Sequence, residues 1–227
     1  MSPPSIDLDR WAANISAASR RALGDLATRP LTVPEAIAFA DEGGNRTRLA
    51  RWLLARRTGQ TANTQTAGVP VGLTLPDPRS GDEQLWHALV TGQSGDAVDS
   101  VLATGKDGPL VGKLYDTTIE VFTEQQLAAM HALWALHVRD GRPDWLERLW
   151  SASRWMLDFI QPDNATNHPW ALHVFVLADS HGVTRDGCMY ADTLLHNCQV
   201  TQGCADKVSA HVLADAALAL SNFTTPA

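Results

Sequence analysis

Between two apolar helical patterns, the segment Gln161-Pro162-Asp163-Asn164-Ala165-Thr166-Asn167-His168-Pro169-Trp170 concentrates hydrogen-bonding side chains in one short loop. Asp163 and His168 can act as an acid/base pair or as metal ligands. Asn164 and Asn167 add amide donors and acceptors of the kind that hold a sugar, an amide or a phosphate. Prolines at both ends restrict the backbone. His168 precedes the proline that opens the next helix, where the positive end of the dipole favours a neutral imidazole, a usable base near neutral pH. Trp170 and His173 lie one turn apart just beyond and complete the candidate binding group. The competing reading is structural. Asp and Asn satisfy loop backbone through Asx-turns, and Asn167 or His168 can simply cap the following helix.

Other chemistry-bearing residues give weaker patterns. His173 shares a helix face with Trp170 and Leu177, the usual place of a core histidine bonded to a neighbour. His131 and Trp134 can also share a face and read as core packing rather than a cofactor site. His196, Cys198 and Cys204 are the nearest grouping of metal-binding types. His196 and Cys198 diverge on a helix, however, and neither a Cys-x-x-Cys knuckle nor His-Glu-x-x-His occurs, so no metal site is predicted. Cys204 beside His168 is the one nucleophile pairing that helix direction suggests. Gly-x-Ser-x-Gly, Walker and Gly-x-Gly-x-x-Gly motifs are absent, and no cofactor is implied. Five of the eight tryptophans, Trp134, Trp145, Trp150, Trp155 and Trp170, fall on adjoining helices. Trp155 is rotated off the core stripe, so it packs a second neighbour or offers a platform to a partner.

Composition narrows the partners. A net charge of −7 with a pI near 5.5 argues against nucleic acid. No apolar run approaches a membrane span. Protein or small-molecule partners remain. The run Arg46, Arg48, Arg51, Arg56 and Arg57 reads as a solvated cationic helix face, with an anion-binding patch as the alternative. Three cysteines, without a basic and then apolar leader, predict free thiols in a reducing, cytoplasmic setting.

Positioning these residues is the task of an all-α fold. Apolar periodicity and cap signals predict helices over 7–27, 32–43, 45–58, 82–90, 96–103, 109–121, 123–139, 143–160, 169–181, 185–202 and 206–221. Thr32 with Glu35, and Thr123 with Gln126, form capping boxes; Asn45 and Asp206 are N-caps. Gly182 and Gly203 suit left-handed C-caps. The Thr-, Gly- and Pro-rich stretch 59–81 is irregular, with a weak strand pattern over Val69–Leu75. It lies across a single 1–227 domain or links 1–58 to 82–227, or else serves as a functional lid. Ala210, Ala214 and Ala217 let the last helix approach another closely, within or between chains.

Short connections make consecutive helices antiparallel. One "lower" end then gathers Glu124, the 161–168 loop, Gln202, Cys204 and Asp206. The opposite, "upper" end gathers Asp140, His181, Arg185 and Asp186. In architecture alone this succession of hairpins resembles a curved helical array or a partial α/α toroid. That resemblance implies a site in loops at one end of the helices. Two functions follow. The chain is a binding or scaffold protein that presents the 161–170 loop and nearby Trp to a partner. Alternatively it is an enzyme or small-molecule binder with a pocket formed by that loop, using Asp163 and His168 as acid/base or metal ligand.

Overall fold

A computed structural model describes residues 6–42, 48–61, 64–65, 72–93, 95–103, 105, 107–113, 116–160, 168–200 and 203–223. The fold is all-α. The helices are α1 (Leu8–Leu23), α2 (Val33–Glu42), α3 (Arg48–Gly59), α4 (Gly81–Thr91), α5 (Asp96–Asp99), α6 (Ile119–Asp140), α7 (Pro143–Phe159), α8 (Leu172–Ser180), α9 (Gly187–Val200) and α10 (Lys207–Ser221). A 3-10 turn, Gly24–Ala27, follows α1. A two-residue ladder pairs Gln60–Thr61 with Thr64–Gln65.

Local chemistry sets many of these boundaries. Thr32 and Glu35 close their capping box: Glu35 N–H donates to Thr32 Oγ1 at 3.4 Å and Thr32 N–H donates to Glu35 Oε2 at 2.8 Å. Asp206 accepts from Ser209 N–H at 2.8 Å and starts α10. Gly182 and Gly203 have φ of 67° and 70°, the left-handed conformation that ends a helix at least cost in glycine.

Other boundaries differ from the sequence expectation. Thr123 and Gln126 do not open a helix; they lie inside α6, which begins at Ile119 with Thr118 in the cap position. The apolar pattern runs on through them, and extending an existing helix is easier than starting a new one. Thr123 Oγ1 therefore donates back to the Ile119 carbonyl at 2.7 Å. Gln126 instead pins a neighbouring strip of chain, accepting from Leu110 N–H at 2.7 Å and donating to the Val111 carbonyl. That strip is not the predicted 109–121 helix. Over 107–113 it is a run of bends without helix, with Leu110 and Val111 buried as an apolar plug. The predicted 96–103 helix shrinks to the single turn of α5, and beyond it Ala103 N–H donates to the Leu110 carbonyl at 2.9 Å. Leu73 is buried and residues 72–75 form no strand. The rest of the Val69–Leu75 pattern falls outside the described residues except Gly72 onward, as does the Asn45 cap.

One contiguous cluster of buried side chains runs from Ala12 in α1 to Leu220 in α10. The most extensive helix pair is α1 with α10, followed by α4 with α6 and α8 with α9. Ala210, Ala214 and Ala217 are buried, and Ser19 Oγ donates to the Ala210 carbonyl at 2.7 Å, so the small residues of α10 serve close contact inside the chain. Besides α1, α10 also packs on α8 and α3. Trp52, Trp86, Trp145 and Trp170 are fully buried. Among the described residues, no helix is long and apolar enough to cross a membrane.

Candidate functional site

Of the lower-end group, Asp163, Asn164, Asn167 and Gln202 lie outside the described residues. His168, Trp170, Glu124 and Asp206 are described, and three of them converge. Glu124 Oε1, on the first turns of α6, accepts from His168 Nδ1 at 2.9 Å and from Trp170 Nε1 at 2.8 Å. His168 is 16% and Glu124 25% exposed, so the pair sits at the rim of the fold. The start of α6 thus meets the segment before α8, and the charge of Asp206, which caps α10, reaches His168. Cys204, which also belongs there, is half-buried.

The charge on His168 differs from expectation. Burial pulls its pKa down, but the hydrogen bond and charge of Glu124, with the charge of Asp206, outweigh that and raise it above 6.5. The predicted dipole effect does not decide the matter, because α8 starts only at Leu172. Its cap is Ala171, neither Asn167 nor His168, in a left-handed conformation at φ 54°. A non-glycine residue there carries roughly 1–2 kcal/mol of strain. The turn aims the Ala171 N–H inward at His131 Nδ1, 3.2 Å away.

That bond leads to a second, buried constellation. With Nδ1 accepting, the His131 proton is on Nε2 and is donated to Asp215 Oδ2 at 2.9 Å. Asp215, on α10, also accepts from Arg56 Nε at 3.1 Å through each oxygen. Trp170 lies against both His131 and Trp86 with ring centroids 5.5 and 5.4 Å apart, so it joins the rim to the interior. An imidazole oriented by a carboxylate is the arrangement of a general base. Here, though, His131 and Asp215 are only 1% and 2% exposed, so the pair is closed to solvent. Burial lowers the pKa of His131, and Asp215 only partly restores it.

His173 is buried against this pair, its ring 4.5 Å from that of His131. The expected hydrogen bond to a neighbour is missing: neither ring nitrogen has a partner among the described residues. Its ring neighbours are His131 and Trp134. Burial, reinforced by His131, holds its pKa well below 6.5.

Nor do the α3 arginines form a solvated face. Arg48 pairs with Glu83 at 2.8 Å, and Arg51 reaches the Thr74 carbonyl at 3.3 Å. Arg56 and Arg57 turn inward, because α10 carries acceptors for both and their stems add apolar contact. Arg57 Nη1 donates to His211 Nδ1 at 2.9 Å, and Nη2 donates to the Leu26 and Arg29 carbonyls at 2.8 and 3.1 Å. Arg46 falls outside the described residues. Sequence reasoning missed Asp215, Arg56, Arg57 and His211. One signal was present: Asp215 is the lone carboxylate within an alanine-rich helix, α10.

Around the lower end, apolar side chains face water. Phe159, at the end of α7, is 67% exposed. Its ring lies 5.6 Å from that of Trp155, which in turn packs on Phe122 of α6 at 6.0 Å. Trp155 thus does both things the sequence allowed: it packs a second neighbour and stays half-exposed. Ile119 and Val121 are exposed on the same first turn of α6. Asp116, Glu120 and Asp158 are exposed beside them, with Arg154 as a basic neighbour.

Among the described residues no group of three His, Cys, Asp or Glu side chains could hold a metal ion. No family model, no curated protein and no solved structure matches this chain.

Proposed function

We propose that this chain is a binding or scaffold protein that docks a partner protein segment at its lower end. The observation that carries this reading is the exposed Phe159 ring, continuous through Trp155 with the core. Beside it, Glu124, His168 and Trp170 fix the geometry of the rim. Aromatic anchors on rigid elements, ringed by polar groups, are what protein recognition uses. The acidic neighbours Asp116, Glu120 and Asp158 select a segment whose apolar residues are flanked by Lys or Arg. Free thiols at Cys188, Cys198 and Cys204 suit a reducing, cytoplasmic setting.

A peptide array varying aromatic content and flanking charge tests the proposal. Basic-flanked aromatic peptides are expected to bind, and Phe159→Asp to weaken them at least tenfold with the melting temperature unchanged. Binding indifferent to flanking charge, or unaffected by Phe159→Asp, overturns it.

A second reading rests on one observation, that Glu124 orients His168 as a carboxylate orients a general base. In it the 161–170 loop forms a pocket, Asp163 and His168 act as acid/base or metal ligands, and Asn164 and Asn167 position substrate. A thermal-shift screen against metals, sugars and metabolites tests it. A ligand that stabilises the wild type but not His168→Ala supports it; no stabilising ligand sinks it.

A further inference from the structure

Between α1, the turn that follows it, the end of α3 and the second half of α10 lies a cavity of about 230 Å³. We propose that it binds a small organic monocarboxylate, with the carboxylate on the Arg57 guanidinium and a short alkyl part against Ala214 and Ala217.

Arg57 is the reason for an anion. It lines the cavity and is only 4% exposed, yet it has no carboxylate within ion-pair distance among the described residues. Its three hydrogen bonds go to neutral acceptors, the Leu26 and Arg29 carbonyls and His211 Nδ1. A guanidinium has five N–H donors, so two remain. The nearest carboxylate whose charge reaches it, Asp215, is already bound by Arg56 and His131. Burial lowers the Arg57 pKa only to about 10, so the cation persists at neutral pH. A buried charge without a counter-ion is unfavourable, and an anion in the cavity supplies the missing partner. Arg29, also in the wall, adds positive potential, although its own guanidinium is held by Glu35.

Size and lining choose among anions. The volume equals roughly seven or eight water molecules in liquid, room for a ligand of about ten non-hydrogen atoms at most. Alanines from α10 and Pro30 form apolar wall, and Ser16 supplies a hydroxyl, whereas that of Ser221 donates to the Ala217 carbonyl at 3.0 Å. A multiply charged phosphate needs more donors than this lining offers; one carboxylate with a short alkyl chain fits it. The cavity opens beside the last turns of α10, roughly 15–20 Å along that helix from Asp206. Partner docking at the lower end can therefore fail without touching this proposal, and the reverse.

Calorimetric titration with sodium butyrate tests it, with acetate, butyramide and inorganic phosphate as comparisons. Butyrate is expected to bind saturably, more tightly than acetate or phosphate and at least tenfold more tightly than neutral butyramide. Ala217→Leu fills the cavity and leaves Arg57 in place, so it should weaken butyrate at least tenfold, whereas Phe159→Asp should not. Should Ala217→Leu fail to fold, Ser221→Phe at the exposed rim takes its place. No butyrate heat, equal binding of butyramide, tighter binding of phosphate, or retention of butyrate by the filled variant each overturns the proposal.

Discussion

His168 and His173 are near neighbours in sequence and opposites in environment. His168 sits at the rim, is tied to Glu124 and favours its proton. His173 is sealed in the core with neither ring nitrogen bonded among the described residues and resists a proton. The same contrast holds for the regions they belong to. The lower end carries charges that remain partly hydrated, together with exposed rings. The interior holds Arg56, Asp215, His131, Arg57 and His211, which bond largely to one another away from water. Charge near water is adjustable, whereas charge in the core is committed, and perturbing each region should reveal the difference.

The largest effect is expected from Asp215→Asn. It removes the counter-charge of Arg56 and leaves one amide oxygen to serve both Arg56 and His131, and breaking a buried pair costs about 3–5 kcal/mol. Glu124→Gln at the rim should cost only about 1 kcal/mol. Equal losses in denaturant melts would erase the contrast.

The pH dependence comes next and has opposite signs in the two regions. His131, His173 and His211 have folded pKa values below the ordinary 6.5, that of His211 near 3 as burial and the Arg57 charge depress it. Their unfolded forms take up protons first, so stability falls as pH drops below 6.5. Each contributes up to about 1.4 kcal/mol per pH unit. His168 has a raised value, so its contribution is complete below 6.5 and is lost as pH rises through its folded pKa. Urea midpoints measured on both sides of neutrality should show acid loss that persists in His168→Ala. The alkaline loss should disappear in that variant.

A smaller change, in the stabilising direction, is expected for His173→Leu. It removes two unpaired buried polar atoms at similar volume and should add about 1 kcal/mol. It should also soften the acid loss. A destabilised variant would mean that His173 has a polar partner after all. Smallest of all, Phe159→Ser should shift stability by less than about 0.5 kcal/mol, because the ring already faces water. A larger loss would place Phe159 with the core rather than the rim.

What could be read from the sequence follows this same division. The Thr32–Glu35 box and the Asp206 cap were legible because their partners lie within one turn. The meeting of Glu124 and His168 was legible from alternating helix direction. The box at Thr123 and Gln126 misled, since a local signal was overridden by the helix running through it. The interior pairs were not legible. His131 meets Asp215 across 84 positions, Arg56 meets Asp215 across 159, and Arg57 meets His211 across 154. No periodicity encodes such a match. An arginine bound for the core looks, in sequence, like one bound for water.

The pairing of α1 with α10 has a consequence for how the chain is made. Ser19 finds its acceptor 191 residues later, at Ala210. At about 5–20 residues per second, a ribosome takes roughly 10–40 s to cover that interval. Throughout that time the apolar stripe of α1 is out of the channel without its main partner. A nascent chain in this condition is a client for holding chaperones, and slow codons between the two helices would lengthen its exposure.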